Sequence, residues 1–98
     1  MQPKFQTRDA TLILRCPKCG GEHLNHEGVE IFERGEDKAQ GLHVSVGGGT
    51  ISTDIDLTGN PSSRRHGLLI HYECEGCDAK PTLAIWQHKG ETFFAFQP

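Results

Sequence analysis

Two cysteine pairs, Cys16-Pro17-Lys18-Cys19 and Cys74-Glu75-Gly76-Cys77, constrain this chain more than any other feature. Two residues between cysteines let both sulfurs reach one side of a tight turn, where backbone N–H groups point at them. Gly20 follows the first pair, where the chain commonly needs a positive φ to leave the turn. Gly76 lies inside the second turn, and Asp78, which tolerates the left-handed region better than most residues, follows it. Two such turns facing each other make a closed tetrahedral site, so the pattern predicts one structural Zn²⁺ held by Cys16, Cys19, Cys74 and Cys77. Strand-like segments flank both pairs, which places each turn at the tip of a hairpin.

A local alternative exists. Cys16, Cys19, His23 and His26 have the spacing C-x2-C-x3-H-x2-H. The second pair would then need His71 or His88. Geometry argues against it, because three residues after Cys19 the chain would have to bend back and spoil the strand it is entering. His23 and His26 are therefore expected on the surface. A thioredoxin-like redox pair would sit near a βαβ pattern, which the sequence lacks.

Composition makes a staple necessary. Ninety-eight residues suit one small domain, here residues 1–98, and only 35% of them are hydrophobic. Twelve glycines and five prolines point to turns and argue against long helices. The N-terminal stretch has no secretory pattern, and no apolar run approaches the roughly 20 residues a membrane helix needs. A cytoplasmic setting without membrane association is the resulting expectation, and there paired cysteines serve as metal ligands. The formal charge is −3, and four thiolates around Zn²⁺ would add two further negative charges. That is a poor footprint for phosphate binding.

The rest of the chain reads as almost entirely β. Residues 1–10 look like a loose arm, "TLILR" is a strand, and "GVEIFERGEDKAQG" offers a short strand at Val29 to Phe32. In "LHVSV" and "TISTDIDL", Leu42, Val44, Val46, Ile51, Ile55 and Leu57 alternate with polar residues, as in half-buried strands. The glycines between the two segments suit a hairpin. "TGNPSSRRHG" reads as a polar, mobile loop. "LLIHYEC", "TLAIWQH" and "ETFFAFQ" complete the strands. Fifty-four residues separate the cysteine pairs, and the part at 28–67 is expected as an inserted antiparallel β extension of the sheet.

With "CPKCGG" and "CEGC" bounded by strands, the chain resembles the zinc-ribbon superfamily, whose four ligands fall on Cys16, Cys19, Cys74 and Cys77. The stretches "GNPSSRRHGLLIHYECEGC" and "QHKGETF" also resemble small zinc-ribbon proteins of phages and bacterial mobile elements. That resemblance implies an origin and a cytosolic setting but no activity.

Strands apolar on both faces must be covered on both. "TFFAFQ" and "GLLIHY" are such strands; either the 28–67 insertion covers their second face, or Leu69, Phe94 and Phe96, with Arg64 and Arg65 at the rim, form a binding surface there. It fits a protein partner or a homo-oligomer, as for a mobile-element protein acting on a host factor. The alternative is a nucleic-acid-binding ribbon, with Trp86, Tyr72 and the phenylalanines stacking on bases and Arg64, Arg65, Lys80 and Lys89 near the backbone. Catalysis is not expected: four cysteines close the metal site, and no nucleophile motif or phosphate loop is present. Asp54 and Asp56, like Glu27, Glu30, Glu33 and Glu36, read as solvated faces or turns.

Overall fold

Left-handed backbone at the turns sets the strand order. Gly48 and Gly49 take φ values of 59° and 78°, and Lys89 and Gly90 take 51° and 80°. Positive φ at both central residues is the requirement of two-residue hairpin turns whose twist matches that of the strands. In a computed structural model describing residues 1–98, eight strands form and there is no helix. They are β1 (Phe5–Arg8), β2 (Thr11–Leu14), β3 (Leu24–Arg34), β4 (Gly41–Gly47), β5 (Thr50–Asp54), β6 (Gly67–Cys74), β7 (Thr82–His88) and β8 (Glu91–Phe96). β1 and β2 pair as a separate hairpin, and the others form one antiparallel sheet in the order β5-β4-β3-β6-β7-β8.

The all-β expectation holds, with three differences of extent. The N-terminal arm is ordered: β1 pairs with β2, and the Met1 ammonium donates to the Phe96 carbonyl while Phe96 N–H donates back to Met1. β3 runs for 11 residues where a short strand was expected, because it pairs with β4 on one side and β6 on the other. Finally, the second cysteine turn caps the β6–β7 hairpin, but the first joins β2 to β3, which belong to different sheets.

The expected inner and outer faces are exchanged at β4 and β5. Cross-strand partners share a face, so Ile51, Val46, Val29, Ile70, Leu83 and Phe96 lie along one side, as do Val44, Ile31, Leu68, Ile85 and Phe94. Leu42, Val46 and Ile51, expected to face a core, are open to solvent, Ile51 at 68%. The opposite face carries the core: Phe32, Leu69 and Ala84, with Leu57 and Trp86 packed against them.

That face is covered by the connection from β5 to β6. It runs from the sheet edge past β4 and β3, and it is a strap rather than the mobile loop the sequence suggests. Leu57 packs on the core, and a Cβ added at Gly59 would touch Phe32. A Cβ at Gly67 would overlap Asn60 Oδ1 and Pro61, so glycine is what lets the strap lie against β6. Ser62, only 2% exposed, donates through Oγ to the Gln87 carbonyl at 2.7 Å and accepts from Arg64 and Arg65 N–H. Arg64 grips both Asp37 oxygens, at 2.8 and 2.7 Å, and Asp37 N–H donates to the Arg64 carbonyl. The polar residues that read as a flexible loop supply the bonds that hold it down.

Candidate metal centre

Each cysteine turn is built from its own backbone. In the first, Gly20 N–H donates to the Cys16 carbonyl at 2.9 Å, Cys16 N–H donates to Gly21, and Gly20 leaves with φ 76°. In the second, Cys74 N–H donates to the Ala79 carbonyl. Every sulfur accepts an N–H from two residues on: Lys18 to Cys16 at 3.4 Å, Gly21 to Cys19 at 3.3 Å, Gly76 to Cys74 at 3.3 Å and Ala79 to Cys77 at 3.5 Å. Four identical bonds at equivalent places aim partial positive charge at sulfur, the arrangement that favours thiolates.

The two turns meet. The four sulfurs lie within 4.8 Å of one another. Cys16 and Cys77 are 3.8 Å apart at sulfur, and Cys19 and Cys74 are 3.6 Å apart. A disulfide would need about 2.05 Å, so these are free thiols. Tetrahedral zinc with Zn–S bonds of about 2.3 Å would set its sulfurs about 3.8 Å apart. The cluster therefore fits such an ion with little adjustment. Lys18 Nζ reaches Asp78 across the two turns at 2.6 Å, and Glu75 N–H donates to the His23 carbonyl, which joins the second turn to the chain leaving the first.

Proton affinity divides unevenly within the cluster. Burial pushes the Cys16 thiol up, but N–H groups from Cys19 and Lys18 and hydrogen bonds from Cys74 and Cys77 outweigh it and bring it down to about 7. At Cys77, the Ala79 N–H favours the thiolate, yet burial and hydrogen bonds to the other three cysteines push it up to about 12. Cys16 thus gives up its thiol proton far more readily than Cys77 gives up its own. A cation that takes all four as thiolates must release those protons, which ties its affinity to pH.

The histidines take no part. His23 and His26 are exposed, and His71 is engaged elsewhere. This removes the local two-cysteine, two-histidine site and leaves the four cysteines as the cluster.

The other expected site residues are scattered. Leu69 is 5% exposed under the strap and Phe96 is 2% exposed, so neither offers a surface. Phe94 is half exposed, and Arg65 is exposed. Arg64 is bound to Asp37, with Glu36 3.6 Å away. Trp86 stacks on Phe93 at 5.6 Å and packs against the core, so its ring is not free for a base.

One polar chain was missed from the sequence. On the strap face, His43 Nδ1 bonds Asp54 at 2.9 Å and its Nε2 bonds Glu30 at 2.9 Å. The other Glu30 oxygen bonds His71 Nε2 at 2.6 Å, and His71 Nδ1 meets Thr82 at 2.9 Å. The chain crosses β5, β4, β3, β6 and β7, and His43 stacks on Phe32 with ring centroids 4.4 Å apart. Burial pushes Glu30 up, but hydrogen bonds and charge from His71 and His43 hold it below the usual carboxylate range. Burial likewise pulls His43 down, but Asp54 and Glu30 raise it above the usual histidine value. Reading Glu30 as a solvated acid is corrected accordingly; its side chain is 25% exposed. Asp54, though exposed, also holds His43. The missed signal was alternation: Glu30 and His43 lie on the face of Phe32, opposite Ile31 and Val44.

Set beside family models, curated proteins and solved structures, the chain matches none of them.

Proposed function

We propose that this chain is a structural-zinc module that acts by binding protein, with one Zn²⁺ held by Cys16, Cys19, Cys74 and Cys77. The observation that carries it is the sulfur cluster itself, at zinc-site separations and with an N–H aimed at every sulfur. When bound, the ion supplies a structural crosslink, and four thiolates leave it no open position for water or substrate. The chain's own residues do the rest. The turns fix the β2–β3 junction against the β6–β7 hairpin, and that fixes the open apolar face beside them. Residues 1–98 act as one zinc-ribbon-like unit, working in a reducing compartment where the thiols persist. The resemblance to ribbon proteins of phages and mobile elements supports a host protein as the kind of target.

Protein is favoured over nucleic acid by the state of the cations. Arg64 is neutralised by Asp37, Lys18 by Asp78, and Lys80 has Glu73 at 3.6 Å. The sheet face opposite the strap instead exposes Ile31, Leu42, Val46, Ile51 and Phe94.

Metal analysis of the purified chain tests the zinc assignment. One Zn²⁺ per chain, lost in Cys74→Ser and kept in a His23→Ala/His26→Ala variant, is the expected result. Two ions per chain would overturn it. DNA and RNA binding at two salt concentrations tests the other half. Tight binding whose log–log slope approaches −0.9 per phosphate contacted, abolished in Arg64→Ala/Arg65→Ala, would replace protein by nucleic acid as the partner.

A further inference from the structure

We infer that the open face of the six-stranded sheet is an interface between two copies of this chain, packed sheet against sheet. This rests on the protein-binding reading above and names the occupant.

The first observation is area. A monomer of 10.8 kDa is expected to expose about 5,500 Å² by the usual scaling with mass. This chain exposes 6559 Å². The difference, about 1,000 Å², is close to the roughly 800 Å² each partner buries in a stable complex of standard size. The radius of gyration agrees: 14.5 Å against about 12.6 Å for a compact domain of this length. Part of the excess belongs to the β1–β2 hairpin, which meets β8 through the edge-on contact of Phe5 with Phe94.

The second observation is where the uncovered apolar surface lies. Ile31, Leu42, Val46, Ile51 and Phe94 are each 43–68% exposed, and all five point from the face opposite the strap. Val29, Val44, Leu68, Ile70 and Ile85 continue the patch between them. Among the paired charged residues of the strands, Glu33 lies on this face at its end opposite Leu42, with His26 at the other end beside Tyr72. An exposed patch of this extent marks an interaction site.

The third is the shape and chemistry of what fits. A broad antiparallel face whose middle is aliphatic and whose one carboxylate, Glu33, stands at its end has no cluster of charge to select an acidic, basic or phosphorylated partner. What covers such a face in β proteins is another such face, about 10 Å away with interdigitating side chains. This chain carries one, closed at the β7–β8 end where Leu83 and Phe96 are buried, and leaves the rest of it open. A two-fold axis through the face would bury the same residues on both copies, and each copy would complete the core the other lacks.

The test is the oligomeric state of the full zinc-loaded chain, by sedimentation from low to high micromolar concentration. A dimer is expected. Val46→Lys/Ile51→Lys should raise its dissociation constant on the order of a hundredfold, by forcing charge into the interface. Ser52→Lys, next to Ile51 but on the other face, should leave the dimer intact. Zinc content and circular dichroism, unchanged in both variants, establish that each is folded. A dimer indifferent to the paired lysines, or a folded monomer at every concentration, would overturn the inference. With a monomer, an apolar dye separates two failures. Dye bound by the native chain and lost in the lysine variant removes only the second copy and leaves a docking face for another protein. Dye bound by neither removes that reading of the face as well.

Discussion

The cysteine cluster and the strap both fasten the sheet, and they do so by unlike means. The cluster joins residues as far apart as Cys16 and Cys77 with almost no apolar packing, and Cys19 stays exposed. The strap packs half-buried Leu57 against the Phe32 core cluster and adds a set of hydrogen bonds converging on Ser62. Coordination is close to all-or-none, since losing one ligand leaves the others mutually repelling and short of a tetrahedron. Packing is graded, because each contact can be lost alone. The cluster should therefore respond to ligand loss, chelation and acid as a switch, and the strap should weaken in steps.

Chelation, or Cys74→Ser, should have the largest effect. Structural zinc contributes on the order of 10 kcal/mol in small finger peptides, more than a sheet with so small a core can spare. Unfolding followed by circular dichroism as a chelator is added should be cooperative. A chain that keeps its β spectrum without metal would break the comparison. Phe32→Ala comes next. The side chain is 1% exposed and is contacted by the strap and His43, so about 3–5 kcal/mol should be lost in denaturant unfolding, with zinc still bound in the native fraction.

Ser62→Ala should cost about 1–3 kcal/mol, since it leaves the Gln87 carbonyl and two strap N–H groups without their partner. Its sharper signature is local. Trypsin should begin to cut after Arg64 or Arg65 while the cysteine cluster still holds metal. Rapid cleavage there in the native chain would mean that the strap is not fastened at all.

The smallest effect concerns pH. Glu30 sits below its ordinary 4.5, so what it contributes is present above that value and is lost as pH falls through its folded pKa. His43 sits above its ordinary 6.5, so its share is complete below that value and is lost as pH rises through its folded pKa. The stability difference between the native chain and Glu30→Gln should therefore be greatest between about pH 4.5 and 6.5 and shrink above it. Comparing the two proteins cancels the titration of the cysteines. A difference that grows towards alkaline pH would show that His43 is not charged in the chain of hydrogen bonds.

The metal cluster was legible because its determinants are local: Cys-x-x-Cys specifies the turn, its N–H donors and the direction of both sulfurs within a few residues. The β4–β5 and β7–β8 hairpins were legible for the same reason, through Gly48-Gly49 and Lys89-Gly90. The faces of β4 and β5 were not. Alternation shows that Leu42, Val44 and Val46 share a side, but only the path of the strap decides which side is covered. Residues 58–67 were misread because composition does not distinguish polar groups that face water from polar groups that bond one another. Asn60, Ser62 and Arg64 look alike in either role until Gln87, Asp37 and the Arg65 carbonyl are placed beside them.

The strap's route also imposes an order on folding. The hairpins β4–β5, β6–β7 and β7–β8 each join neighbouring segments and can form early, whereas pairing β3 with β6 requires closure of a long loop. The strap has nothing to rest on until that pairing is made, because Phe32 is on β3 and Leu69 is on β6. It must therefore be the last part to seat and the first to lift. Changes in it, Ser62→Ala above all, should speed unfolding while leaving the folding rate nearly untouched. The pairing of β3 with β6 is instead the step that sets how fast the chain folds.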